Sequence, residues 1–139
     1  MSDIIHIQKS PINPYDDRDI DVVSPDTKFV ACIRNSHEFA MSAPVLSEIT
    51  VNNISMKDCS PSIMWSDDSR FLAVPQWRLA RKAPYWYEII YVLDTQTGVM
   101  RSTPGKYIVI KLTRFSGRTI YGEHQNNMTQ IDVSKIIWS

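Results

Sequence analysis

The histidines and a few carboxylates are the side chains of this sequence that are best suited to acid–base catalysis. His6, His37 and His124 lie far apart in the chain, and only His124 directly follows a carboxylate, Glu123. One enzyme hypothesis stays open, a site assembled in space from Asp94, Glu123 and His124. Because no two histidines are sequence neighbours, the pattern favours a chain without a catalytic residue.

The sequence has none of the spacings that hold a metal ion or a nucleotide. It contains no H-x-x-x-H and no C-x-x-C pair, and the Asp-Asp-Arg-Asp run at 16–19 lacks the glycine and final glutamate of a calcium loop. Its four glycines form no phosphate-binding loop. Cys32 and Cys59 are too few for a disulfide framework, so we expect structural thiols. We therefore expect no metal and no cofactor.

A long connection at Gln76–Tyr87 joins an apolar strand that ends near Val74 to one that starts at Glu88. Hairpin loops usually have two to five residues, so a connection of this length indicates a function. Its aromatic and cationic side chains have the composition of protein interface hot spots. The candidate partner-binding residues in it are Trp77, Arg78, Arg81, Lys82, Tyr85 and Trp86.

Two other interpretations of this connection stay open. Trp86 and Tyr87 would fill the core if they began the next strand, leaving the cationic side chains in solvent. Alternating aromatic and basic side chains also suit single-stranded nucleic acid. The balance of 15 basic and 15 acidic side chains disfavours direct nucleic-acid binding, because such binders are usually basic.

A second candidate surface is acidic and lies at Tyr15–Asp21. Its four aspartates surround one arginine, Arg18, and clustered carboxylates imitate the charge of phosphate groups. Such a surface would suit a cationic protein cleft, for example the active site of a nuclease. The alternative is a solvated edge that discourages pairing between sheets. The candidate partner-binding residues here are Asp16, Asp17, Asp19 and Asp21.

An internal repeat indicates which elements carry these side chains. Val23–Cys32 aligns without a gap onto Trp65–Val74, 42 residues later, and both copies read as a tight turn followed by an apolar strand. Phe115–Tyr121 is a shortened third copy. A period of 40 to 45 residues is typical of propeller blades with four strands each.

The two clear copies resemble the Ser-Pro-Asp-Gly-Lys element of β-propeller blades of the WD40 and TolB type. Tyr91–Gly98 adds a strand that ends in the Asp-x-x-Thr-Gly turn common in such blades. The resemblance implies an all-β fold of antiparallel, blade-like sheets with two to three repeats. Closure into a propeller needs roughly four to eight blades, more than 139 residues supply. We therefore predict an open arrangement.

Length and composition predict a single β domain over residues 1–139. A chain of 16.0 kDa with 43% hydrophobic residues can bury a core of its own. The first residues lack the basic and apolar regions of a signal peptide, and no apolar run approaches the roughly 20 residues of a membrane span. The expectation is a cytoplasmic protein that is monomeric when free and has no membrane contact.

In size, balanced charge and truncated propeller pattern, the chain resembles the bacterial immunity proteins of contact-dependent growth inhibition systems. That resemblance implies a non-enzymatic protein that occludes the active site of a cognate toxin, with a nuclease domain as the expected partner. An alternative is an accessory subunit or domain of a larger propeller-like assembly, which would have long exposed sheet edges. The small enzyme with scattered site residues is the further alternative.

Overall fold

Regular structure in the described part of the chain consists of β-strands alone. The computed structural model describes residues 3–5, 8, 10–38, 43–82 and 86–136, with only the backbone described at 3–5. The strands are β1 (Asp3–Ile5), β2 (Ile20–Val23), β3 (Val30–Glu38), β4 (Val45–Val51), β5 (Ile54–Cys59), β6 (Met64–Trp65), β7 (Phe71–Leu79), β8 (Trp86–Asp94), β9 (Met100–Ser102), β10 (Ile110–Ser116), β11 (Thr119–His124) and β12 (Asn127–Asp132).

The turns of the two repeats are built from the same hydrogen bonds. In the first, the Ser24 N–H donates to the Phe29 carbonyl at 2.9 Å, and the Phe29 N–H donates to Ser24 Oγ at 3.1 Å. Ser66 and Phe71 repeat these bonds at 2.8 and 3.0 Å. The short serine hydroxyl thus closes each turn and starts the strand that follows, which explains the repeated sequence.

The strands form two sheets, one of nine strands and one of three, which make up three blade-like parts in chain order. The first blade contains β2–β5, with β1 added in parallel at its edge, and the central blade contains β6–β9. These two are joined edge to edge through one residue pair, Cys59 with Gln76. The third blade, β10–β11–β12, is a separate antiparallel sheet. The predicted all-β fold of antiparallel blade-like sheets in an open arrangement is confirmed.

The central blade separates two hydrophobic cores. On β7, Leu72 and Val74 face the core shared with the first blade, whereas Phe71 and Ala73 face the core shared with the third. A strand between two cores reads as a continuous apolar run because both of its faces are buried. β7 and β8 therefore lie between the two cores and are packed on both faces.

The prediction of a long connection at Gln76–Tyr87 needs correction, because half of these residues are strand. β7 continues to Leu79 and β8 begins at Trp86, so that only residues 80–85 connect them. Trp77 pairs with Glu88 inside the hairpin and is 4% exposed. Its placement at an exposed interface was wrong because Trp77 lies in the same alternation as Phe71, on a face of β7 that is buried.

Candidate functional site

The far end of the β7–β8 hairpin carries an exposed apolar pair. Leu79 and Trp86 are directly opposite each other, and they are 67% and 37% exposed. Residues in such a cross-strand pair project from the same face of the hairpin. Arg81 and Lys82 lie exposed in the turn that follows Leu79. The hairpin end therefore presents an apolar centre with cations beside it, and we call Leu79, Arg81, Lys82 and Trp86 the hairpin-end surface.

Arg78 is the next cation along the hairpin, and its side chain is folded against its own sheet. The guanidinium donates a hydrogen bond to the Tyr91 hydroxyl and lies 5.5 Å from the centroid of that ring. A cation over an aromatic face is attracted by the ring electrons. Arg78 thus reinforces the hairpin on the face opposite to the Leu79–Trp86 pair, because successive side chains of a strand point to opposite faces.

The structure therefore places some of the predicted partner-binding residues of this region at the surface and others not. The structure exposes Arg81, Lys82 and Trp86 near the end of the hairpin and buries Trp77. It places Arg78 against Tyr91 on the other face of the hairpin. Tyr85 lies outside the described residues. Leu79 is the exposed residue that the sequence interpretation missed, although its position opposite Trp86 follows once the hairpin register is known.

A cavity of about 500 Å³ adjoins the hairpin end. Lys82 and Tyr87 line it from the hairpin. Lys106, Tyr107 and Ile108 line it from the segment before β10, and His124 lines it from the end of β11. Lys106 Nζ lies 4.8 Å from the centroid of the Tyr87 ring. The cavity walls are therefore aromatic and cationic, and we call this space the Tyr107 cavity.

Local hydrogen bonds and ring contacts fix the walls of the Tyr107 cavity. The Tyr107 and His124 rings meet edge to face with centroids 5.1 Å apart. The Ile108 N–H donates to His124 Nε2 at 3.2 Å, which places the proton of the neutral imidazole on Nδ1. Gly105 has a φ of +105°, and a Cβ there would lie 3.1 Å from the Tyr107 hydroxyl. Glycine at 105 thus gives Tyr107 room to lie against the backbone.

Glu88 lies behind the Tyr107 cavity and is fully buried. Its backbone exchanges two hydrogen bonds with Tyr107, at 2.5 and 3.0 Å, and its Oε1 accepts the Ile110 N–H at 2.8 Å. Oε2 is buried and has no hydrogen-bond partner among the described residues. Burial raises the pKa of Glu88 to about 8, whereas the bond from Ile110 lowers it. The carboxyl is therefore protonated at neutral pH.

The sequence interpretation missed Glu88, although the strand pattern contains a signal for it. Glu88 is in phase with Ile90 and Val92, which face the core between the central and third blades. A carboxyl at an alternating core position predicts a buried ionisable group. The pKa of the Glu88 carboxyl is strongly raised, but Glu88 does not line the Tyr107 cavity. A ligand in that cavity would therefore not touch this carboxyl.

The structure does not assemble the scattered enzyme site. Asp94 pairs with Arg70 at 2.9 Å, at the opposite end of β8 from Glu88. Six residues of strand span about 20 Å, which keeps Asp94 far from the His124 side of the molecule. Burial raises the pKa of Asp94, but hydrogen bonds from Arg70 and Gln96 lower it overall. Asp94 therefore serves as the ionised partner of Arg70.

Arginine partners neutralise part of the acidic segment. The Arg18 guanidinium donates to both carboxylate oxygens of Asp16, at 3.0 and 2.8 Å. These hydrogen bonds lower the pKa of Asp16. Asp21 lies on β2 and pairs with Arg34 on β3 at 2.6 Å. The two pairs build the segment into the first blade and reduce its net charge.

Asp17 and Asp19 complete the acidic segment. Asp17 is exposed and Asp19 is half-buried, so the segment still presents negative charge to solvent. Two of its four carboxylates, those of Asp16 and Asp21, nevertheless have structural roles. The segment therefore fits the hypothesis of a solvated sheet edge better than the hypothesis of a surface that imitates phosphate groups. The hairpin-end surface is the stronger candidate because its apolar pair is exposed.

The remaining histidines do not add a catalytic cluster. His37 lies on β3 and lines a second cavity of about 380 Å³ together with Ser47, Glu48 and Asp58. Its Nδ1 lies 3.1 Å from the Asn35 carbonyl. His6 lies outside the described residues.

The described ranges contain no group of three or more His, Cys, Asp or Glu side chains that could hold a metal ion. In these ranges, no helix is long and apolar enough to cross a membrane. Cys32 and Cys59 are free thiols, and burial raises the pKa of Cys59 to about 12. No protein-family model, no curated protein and no solved structure matches this chain.

Proposed function

We propose that this chain is a non-enzymatic protein-binding domain whose hairpin-end surface docks on an acidic surface of its partner. The exposed Leu79–Trp86 pair is the observation that carries the proposal. Tryptophan and arginine are enriched among the few interface residues that supply most of the binding energy in many complexes. A hydrogen-bonded hairpin presents side chains at a lower entropic penalty than a flexible loop does.

The charge of the hairpin end supports an acidic partner. Arg81 and Lys82 are exposed beside the apolar pair, and Lys106 lies across the adjoining Tyr107 cavity. Complementary charges increase the rate of association and discriminate against wrong partners. Because the chain as a whole is neutral, this attraction is a local property of one end of the molecule.

The more specific proposal is that the partner is a bacterial toxin and that the chain is its immunity protein, acting in the cytoplasm. The resemblance in size, balanced charge and blade-like repeat supports this proposal. A nuclease toxin with a cationic cleft would dock on the acidic segment, where Asp17 is exposed. A toxin with an acidic rim would dock on the hairpin-end surface, which is the docking mode we favour.

The test is affinity capture from the source cell, with the purified chain as bait and a surface variant for comparison. The variant is Leu79→Ser with Trp86→Ser. Its matched control is Val99→Ser with Met128→Ser, which removes two apolar side chains that are 45% and 65% exposed elsewhere. Circular dichroism and thermal melting establish that all three proteins are folded.

We expect one stoichiometric protein with the native chain and the control, and its loss with the hairpin-end variant. Toxicity of the captured protein, relieved by the chain in an activity assay, would support the immunity-protein proposal. Equal capture by the hairpin-end variant would contradict docking at this surface. Self-association of the purified chain through its sheet edges would favour the accessory-subunit alternative.

A further inference from the structure

The lining of the Tyr107 cavity is unusual because its charged side chains have one sign. Lys82 and Lys106 are the charged side chains of this lining, and both are cations. No carboxylate is among the described residues that line the cavity. A concave site with this lining attracts anions, since nearby charges of one sign focus the field within it.

The cavity also has the size and the donors that one acidic side chain requires. Its volume of about 500 Å³ is within the range of roughly 300–1,000 Å³ in which small-molecule sites fall. The ammonium groups of Lys82 and Lys106 donate hydrogen bonds, and the neutral His124 ring has its proton on Nδ1. Ile108 and Tyr87 provide apolar area for the methylene groups of a side chain.

The state of Glu88 preserves this positive field. Its backbone pairs with that of Tyr107, directly behind the cavity. Because burial raises the pKa of Glu88 to about 8, the carboxyl is uncharged at neutral pH and does not repel an anion. Lys82 belongs to both the cavity lining and the hairpin-end surface, so a partner that contacts Lys82 lies at the margin of both.

We infer that the Tyr107 cavity receives an aspartate or glutamate side chain of the protein partner, an inference that rests on the proposed docking of that partner at the hairpin end. The partner then contributes an apolar area to Leu79 and Trp86 and one carboxylate to the cavity. A carboxylate between two lysines forms charge-assisted hydrogen bonds, which are stronger than neutral ones.

The test is an NMR titration of the ¹⁵N-labelled full chain with three probes. They are the peptide acetyl-Leu-Glu-Leu-amide, its glutamine counterpart acetyl-Leu-Gln-Leu-amide, and inorganic phosphate. The cavity variant is Lys106→Met, which keeps the length of the side chain but removes its charge. The control is Lys135→Met, at an exposed lysine that does not line the cavity.

We expect the glutamate peptide to shift the amide signals of residues 105–108 and 124–125. Its affinity should fall at least fivefold in Lys106→Met and stay unchanged in Lys135→Met, and the glutamine peptide should give no shift. Equal binding of the two peptides, or no shift at these amides, would overturn the inference. Displacement of the peptide by phosphate at equal concentration would also overturn it, because the site would then be one for a free anion.

The Leu79→Ser, Trp86→Ser variant separates this inference from the proposed function. The variant should still bind the glutamate peptide although it no longer captures the partner. If the native chain captures a partner through the hairpin end but binds no peptide, the cavity inference is wrong and the proposed function stands. If the peptide binds but no partner is captured, the assignment of that carboxylate to a protein partner is overturned.

Discussion

At the scale of single residues, Glu88 has the most unusual environment in the described structure. One of its oxygens accepts the Ile110 N–H, and the other is buried without a hydrogen-bond partner. A buried carboxyl of this kind avoids the large penalty of an unpaired charge by remaining protonated. Glu88 therefore connects the central and third blades as a neutral acid.

This environment predicts that the protein loses stability as the pH rises. The folded pKa of Glu88 is about 8, above its ordinary value of 4.5, so between these values the folded state binds a proton that the unfolded state has released. The free energy of unfolding then falls by about 1.4 kcal/mol per pH unit from this residue and levels off above pH 8. Denaturant unfolding at pH 5, 6, 7 and 8 measures the slope.

The substitution Glu88→Gln should abolish that slope. Glutamine retains the acceptor for Ile110 and carries no charge, so its stability should be nearly constant between pH 5 and 8 and exceed that of the native chain at pH 8. Glu123→Gln is the control, because Glu123 is exposed on β11. An unchanged slope in Glu88→Gln would show that another group causes the pH dependence.

Sequence reasoning identified residue types more successfully than it identified environments. It selected Arg81, Lys82 and Trp86, which are exposed at the hairpin end, but it also selected Trp77, which is buried. The strand alternation that buries Trp77 continues from Phe71, but the end of β7 is set by pairing with β8. Burial at the end of a strand depends on the register of this pairing, which composition does not reveal.

At the scale of elements, the repeat turns are the part of the fold that the sequence predicted most directly. The two serine hydroxyls and the two phenylalanine N–H groups form matching bonds. Local turn chemistry is readable because it depends on residues close in sequence. The side chains of Phe71–Val74 alternate between two cores, and this depends on how blades distant in sequence stack. The turn sequences do not predict that stacking.

The same turns yield a matched pair of substitutions. Thr27 and Ser69 occupy equivalent positions with φ of 65° and 67°. This left-handed backbone conformation is unfavourable for a β-branched residue such as Thr27. Thr27→Gly should raise the free energy of unfolding by about 0.5–1 kcal/mol. The reason is that the relief of backbone strain exceeds the stability lost through the greater conformational entropy of glycine in the unfolded chain. Thermal and urea unfolding measure the change.

The equivalent substitution, Ser69→Gly, should give no such gain. Ser69 Oγ accepts the Asp26 N–H at 2.8 Å, a bond that joins the two turns. Its loss offsets the relief of strain, since a hydrogen bond contributes about 1 kcal/mol net. A gain in Ser69→Gly equal to that in Thr27→Gly would contradict the contribution assigned to this bond.

At the scale of the whole molecule, the central blade makes the fold one cooperative unit. It provides one face to each of the two cores, so neither outer blade is stabilised without it. The sequence predicted the open, all-β arrangement, because a 42-residue repeat in 139 residues is too short to close a propeller. The edge pairing of Cys59 with Gln76 was not predictable, since a single long-range pair leaves no periodic pattern.

This arrangement predicts one unfolding transition for both outer blades. Ile33→Ala removes side-chain volume from the core with the first blade, and Ile120→Ala does so in the core with the third. Each should lower stability by about 2–5 kcal/mol. Tryptophan fluorescence and far-UV circular dichroism should report coincident transitions in both variants. Separate transitions in either variant would show that the blades unfold independently.

The central claim, that the hairpin end is the docking surface, is tested most directly by hydrogen–deuterium exchange of the chain with and without its captured partner. We predict added protection at residues 77–82, 86–88 and 105–108, with residues 15–21 unchanged. Protection confined to residues 15–21 would contradict the account and make the acidic segment the interface.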